Sequence, residues 1–126
     1  MVLIDILRVD MANIQIFGFK KCKNTRKAER FFSERGVSFQ FVDLSQKSFS
    51  EGELKSIVSS CCDGDAENLL DKTTKAWEKS NLSYMRFDPF ETIIEKPELI
   101  KTPVVRRGKR AFIGAEKGDL QSLIED

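Results

Sequence analysis

Between Asn13 and Phe17 polar and aliphatic residues alternate, and Gly18 ends the run. A period of two marks a strand. From Lys23 to Arg35 the apolar residues Ala28, Phe31 and Phe32 share one face at helical spacing, and Gly36 is a suitable C-terminal stop. Val37 to Val42 alternates again and predicts a second strand, parallel to the first because a crossover helix lies between them. Ser50 with Glu53 three residues on forms a capping-box pattern ahead of Leu54, Ile57 and Val58. The stretch from Asp65 to Glu95 predicts short helices over 66–70, 74–79 and 88–94, and Pro97 and Pro103 punctuate the segment after it. Val104 to Arg106 and Arg110 to Ile113, joined at Arg107-Gly108-Lys109, predict a β-hairpin, and Asp119 to Ile124 a closing helix. The order predicts an α/β fold: a four-stranded mixed sheet with a helical insert between a β-α-β half and a β-β-α half.

Composition narrows the chemistry. The 126 residues suit one domain, read here as 13–126 with 1–12 as an N-terminal extension. Residues 1–10 are too short and too charged for a signal peptide, and no apolar run is long enough to span a bilayer. A net charge of +1 supplies no overall pull toward nucleic acid or anionic lipid, so neither is an expected partner. Three cysteines, an odd number, with no export signal point to a reducing, cytoplasmic setting without a disulfide framework. The chain has no histidine. That excludes a Cys-His dyad, a Ser-His-Asp triad and any histidine metal site. The adjacent pair Cys61-Cys62 is poorly spaced for zinc, so no metal is expected.

Cys22 is the candidate reactive group. It falls at the junction of the first strand and the first helix, where unpaired amide N–H groups and the positive end of the helix dipole favour a thiolate. Lys20, Lys21, Lys23 and Arg26 add positive charge, and Arg26 stands one helical turn after the cysteine. The plainer reading of the same position is a small buried residue at a strand end.

The run Ile14-Gln15-Ile16-Phe17-Gly18, followed by Cys22-Lys23-Asn24-Thr25-Arg26-Lys27-Ala28, resembles the active-site opening of the arsenate reductase ArsC, Spx and YffB family. Asp63-Gly64, Leu69-Leu70-Asp71, Trp77-Glu78-Lys79, Lys96-Pro97-Glu98-Leu99 and Thr102-Pro103-Val104-Val105 continue the likeness in order and spacing. The resemblance implies a thioredoxin-like fold of the glutaredoxin type, with Cys22 and Arg26 as catalytic residues. It also implies docking of a thiol substrate at Thr25, Thr102 and a cis-Pro103. Glutathione is the implied co-substrate, with no bound cofactor, and glutathione, glutaredoxin or thioredoxin the implied partners. Arsenate-reducing members hold their oxyanion with three arginines. At those places this chain has Asp71, Thr102 and Ala115, so the resemblance does not extend to arsenate reduction; Lys101 and Arg106 are the candidate substitutes.

Spx-like members suggest a second role, a non-enzymatic regulator or adaptor that binds RNA polymerase or another protein. Gly64 then belongs to a partner-binding segment, although Asp-Gly is also an ordinary turn. Many Spx-like members carry a Cys-x-x-Cys switch; here its fourth position is Thr25. Of Cys61 and Cys62, one is expected to be buried and the other a bystander. Arg106 to Arg110 reads as a solvated hairpin tip, and Phe31, Phe32, Phe39, Phe41 and Phe112 as packing.

Overall fold

A computed structural model describes residues 14–124. The N-terminal extension expected over residues 1–12 lies outside them. In order, the elements are β1 (Ile14–Gly18), α1 (Lys23–Glu34), β2 (Gln40–Asp43), α2 (Glu51–Cys61), α3 (Lys75–Ser80), α4 (Pro89–Glu95), β3 (Val104–Arg107), β4 (Arg110–Ile113) and α5 (Lys117–Ile124). Short 3-10 turns at Ala66–Leu69, Leu82–Tyr84 and Pro97–Leu99 fill the insert. The sheet order is β2-β1-β3-β4. β1 runs parallel to β2 and antiparallel to β3, and β3 antiparallel to β4.

Alternation along the strands divides the core between the two faces of this sheet. Ile14, Ile16 and Val105 pack with Ala28, Phe31 and Phe32 of α1 and Leu120 and Leu123 of α5. Phe17 and Val104 point the other way, to Leu54, Ile57 and Val58 of α2 and to Trp77, Ile93 and Leu99 of the insert. Phe39, Phe41 and Phe112 pack against the α1 side, in keeping with their expected role. The central strand β1 is thereby covered on both faces, which fixes its C-terminal end and the turn beyond it.

Local signals set the helix ends. Ser50 and Glu53 form both bonds of the capping box, at 3.2 and 2.9 Å. Asp88 accepts from the N–H groups of Phe90 and Glu91, and the Thr74 hydroxyl from that of Trp77. The second strand is shorter than its alternation predicts. Val37 donates its N–H to Phe32 O at 2.9 Å, closing the end of α1, so pairing with β1 begins only at Gln40. Gly36 supplies the left-handed conformation (φ 67°) that this closure uses. The expected helix over 66–70 is a single 3-10 turn capped by Asp65, and the last helix starts two residues early, at Lys117. None of the helices is long and apolar enough to cross a membrane, among the described residues.

Candidate active site

Cys22 is the N-cap residue of α1, with extended backbone angles and no side-chain capping bond. Its N–H closes a tight turn onto Phe19 O at 3.0 Å, and its own carbonyl accepts the first helical bond from Arg26 at 3.1 Å. The sulfur therefore stands over the open N-terminal turn of a twelve-residue helix, half-buried and reachable from solvent. Facing it across the sheet end is the segment before β3. Thr102 Oγ1 lies 3.3 Å from Cys22 Sγ, and Thr102 O lies 3.9 Å away. The Thr102-Pro103 peptide bond is cis. Pro103 O in turn accepts from the N–H of Gly114, so β4 anchors the loop from behind.

The fit of Thr25 explains the glycine that ends β1. A Cβ on Gly18 would collide with Thr25 Oγ1 and stand 2.9 Å from its Cγ2. Only a residue without a side chain lets α1 approach the strand this closely. Thr25 is fully buried, and its hydroxyl has no hydrogen-bond partner among the described residues.

These contacts decide the protonation of the thiol. Burial pushes the Cys22 pKa up and is the largest single influence. The Thr102 hydroxyl, the Thr25 hydroxyl and the backbone N–H groups of Thr25 and Asn24 act together in the other direction and prevail, so the net shift is downward. While Cys22 is a thiol the Thr25 hydroxyl is unsatisfied; the anion gives it an acceptor. An orphaned buried hydroxyl costs about 1–3 kcal/mol, and a hydrogen bond to a charged group contributes about 1.5–3 kcal/mol. Thr25→Val is therefore expected to leave Tm unchanged or raise it, while slowing alkylation of Cys22 at neutral pH by several-fold to about tenfold. Thermal melts and thiol-alkylation rates on the same protein check both halves.

Cys22, Thr25, Thr102 and Pro103 thus converge on one end of the sheet. The Arg26 side chain is exposed on the outer face of α1, with no hydrogen bond or ion pair among the described residues, and it is not among the groups that lower the Cys22 pKa. The donors that favour the anion are uncharged, a point the sequence did not disclose. The candidate oxyanion substitutes are also committed. Lys101 Nζ donates to Asn68 O at 3.3 Å. Arg106 bonds Gly108 O and Gln15 Oε1 at the opposite end of β3. Asp71 accepts from the N–H and hydroxyl of Thr73, and Ala115 is buried.

Gly64 belongs to a different surface and shares no hydrogen bond with Cys22, Thr25 or Thr102. With Asp63 it adopts left-handed angles, and its N–H returns to Val58 O at 3.1 Å, closing α2. It also lines an open hollow of about 540 Å³ with Lys55, Val58, Asp65, Pro89 and Phe90. Of the other two cysteines, Cys62 is buried and Cys61 half-buried, their sulfurs 3.7 Å apart. The hydrogen bond to Cys62, together with burial, pushes the Cys61 thiol up and keeps it protonated.

A half-buried thiol at a helix N-terminus, opposite a cis-proline loop on a β-α-β/β-β-α sheet, defines the class: a thioredoxin-like domain. The chain belongs to the ArsC family, whose profile matches residues 17–123. It is similar to the global transcriptional regulator Spx 2 of Oceanobacillus iheyensis, 25% identical over 114 residues, which cover 88% of this chain and 83% of that protein. It is also similar to the regulatory protein MgsR of Bacillus subtilis, 24% identical over 113 residues, covering 87% of this chain and 89% of that one. Among solved structures, an arsenate reductase from Vibrio cholerae shares the fold, with a TM-score of 0.75 at 19% identity over 89% of this chain and 98% of that one.

Proposed function

We propose that this protein is a thiol oxidoreductase that uses Cys22 as its only nucleophile and exchanges with glutathione or with a glutaredoxin- or thioredoxin-type partner. The observation that carries the reading is the Cys22 sulfur at an uncapped helix N-terminus, 3.3 Å from the Thr102 hydroxyl beside cis-Pro103. The chemistry is thiol–disulfide exchange. The Cys22 thiolate attacks one sulfur of a disulfide, a new S–S bond forms, and the other sulfur leaves as thiolate. Thr25 occupies the position from which a second cysteine would resolve the product, so a thiol from solution releases the bound half. Thr102, half-buried beside the sulfur, offers an edge for the incoming peptide. Arsenate is not the substrate in this reading. Its charge needs fixed cationic donors, whereas Asp71 and Ala115 offer none and Lys101 and Arg106 are engaged elsewhere. The test is mass spectrometry after treatment with oxidised glutathione: one glutathione adduct, mapped to Cys22, is expected. Failure of Cys22 to form it overturns the reading.

One observation favours a second role. The relatives Spx 2 and MgsR are regulators, and the hollow at Gly64 presents an apolar floor of Val58, Pro89 and Phe90 away from the thiol. An adaptor working through that surface keeps its protein partner in Cys22→Ser and loses it in Gly64→Arg, whereas an enzyme alone shows neither behaviour.

A further inference from the structure

From Lys20 to Arg30 the chain carries six cations and one carboxylate, Glu29. That is a local net charge of +5 in a chain whose total is +1, so the rest of the molecule is net −4. The charge is also laid out in space. Lys23, Arg26, Lys27 and Arg30 are exposed, and none of their side chains forms an ion pair or hydrogen bond with a described residue. Spacings of three and four residues align them in a stripe along the outer face of α1. With Asn24 they line a shallow hollow of about 420 Å³. A second hollow of about 290 Å³, between α1 and the start of α5, shares Lys27 and Arg30 and adds Arg35 and Lys117 against one carboxylate, Glu34. The two together form a basic trough along α1, from Lys23, the residue after Cys22, to Arg35.

We propose that this trough is the docking surface for an acidic polypeptide whose disulfide is delivered to Cys22. The inference rests on the thiol reading of Cys22 and names its substrate class. Reach excludes a small thiol as the full occupant. Arg30 lies about 12 Å along the helix axis from Cys22, at 1.5 Å per residue. A tripeptide thiol with its sulfur on the middle residue extends only about 5 Å to either side. Filling the trough takes a chain with carboxylates spread over more than two helical turns. Unpaired cations beside a half-buried sulfur would also raise the local concentration of such a partner, an effect that salt screens.

The diagnostic step is exchange with a peptide–thionitrobenzoate mixed disulfide. The Cys22 thiolate bonds to the peptide sulfur, and the coloured thionitrobenzoate leaves with the electron pair of the broken S–S bond. Three peptides are compared, with Glu, Gln or Lys at the four positions after the cysteine, and Cys22→Ser serves as the blank. At an ionic strength of about 20 mM the Glu peptide is expected to react about tenfold faster than the Gln peptide and faster still than the Lys peptide. The ratio should fall toward one at about 0.5 M salt. Lys27→Glu with Arg30→Glu should invert the order of the Glu and Lys peptides. Lys75→Glu with Lys109→Glu, the same change in net charge at exposed sites away from the trough, should keep it. Equal rates for the three peptides, or a preference indifferent to salt or to Lys27→Glu/Arg30→Glu, overturns the docking surface while the reactive thiol stands. If no peptide reacts above the blank, the thiol reading fails. A fluorescein-labelled Glu peptide without its cysteine then reports docking alone by anisotropy, and absence of binding at low salt overturns the trough as well.

Discussion

Replacing Cys22 by serine is expected to abolish the glutathione adduct and to bring alkylation at position 22 down to the solvent blank, while the fold becomes more stable. The two effects share one cause. Cys22 occupies the N-cap of α1 without making a capping bond, and Ser is among the best N-cap residues, worth about 1 kcal/mol over a non-capping side chain. The serine hydroxyl can accept from the open amides that now favour the thiolate. The stability gain should depend on pH in a defined sense. The folded protein lowers the Cys22 pKa, so it binds a proton at that site less readily than the unfolded chain does. Wild-type stability from this site is therefore fully present above the unfolded thiol pKa and is lost as pH falls through the folded value. The advantage of serine should be largest acid of that window and should shrink as pH rises through it. Urea unfolding of both proteins across the range checks the slope. A pH-independent difference would mean that the fold does not favour the anion.

Gly18→Ala is expected to produce the largest combined loss of stability and reactivity among substitutions outside the thiol. A methyl there meets the Thr25 hydroxyl and Cγ2. Thr25 is fully buried and has no open space to turn into, so either its side chain leaves its rotamer or the first turn of α1 moves off the sheet. Overpacking of this kind costs about 1–3 kcal/mol. Either movement also displaces the amides of Asn24 and Thr25 from the Cys22 sulfur, so alkylation at neutral pH should slow along with the drop in denaturation midpoint. The pair Gly18→Ala/Thr25→Ser removes the Cγ2 contact but keeps the hydroxyl, and should recover part of the stability. Loss of stability with unchanged Cys22 reactivity would show that the thiol environment is not set by the packing of Thr25 on the strand end.

Much of the architecture was legible because its signals are local. The capping box at Ser50, the alternation of β1 and the Gly108 hairpin each encode one element within a few residues, and the structure agrees with them. The start of β2 was not legible. Val37 to Phe39 alternates like a strand, but the Val37 amide is used to end α1, and that choice depends on where the helix meets the sheet. The position of Cys22 at a helix N-terminus was also readable, whereas the source of its acidity was not. Neighbouring lysines and Arg26 suggested a charge effect. The structure instead sets an uncharged cluster around the sulfur, and its Thr102 hydroxyl comes from 80 residues away. No spacing rule reports a contact of that separation. Gly18 was the available signal for the Thr25 contact, but in sequence it marks only the end of a strand.

The central claim is that folding favours the Cys22 thiolate, and its most direct measurement is the rate of Cys22 alkylation against pH, with modification mapped by mass spectrometry so that Cys61 and Cys62 are counted separately. A midpoint below the ordinary thiol value of about 8.5, rising in Thr25→Val, is the expected result. A midpoint at or above about 8.5 in the wild-type protein would contradict it, because burial would then outweigh the hydroxyl and amide donors around the sulfur.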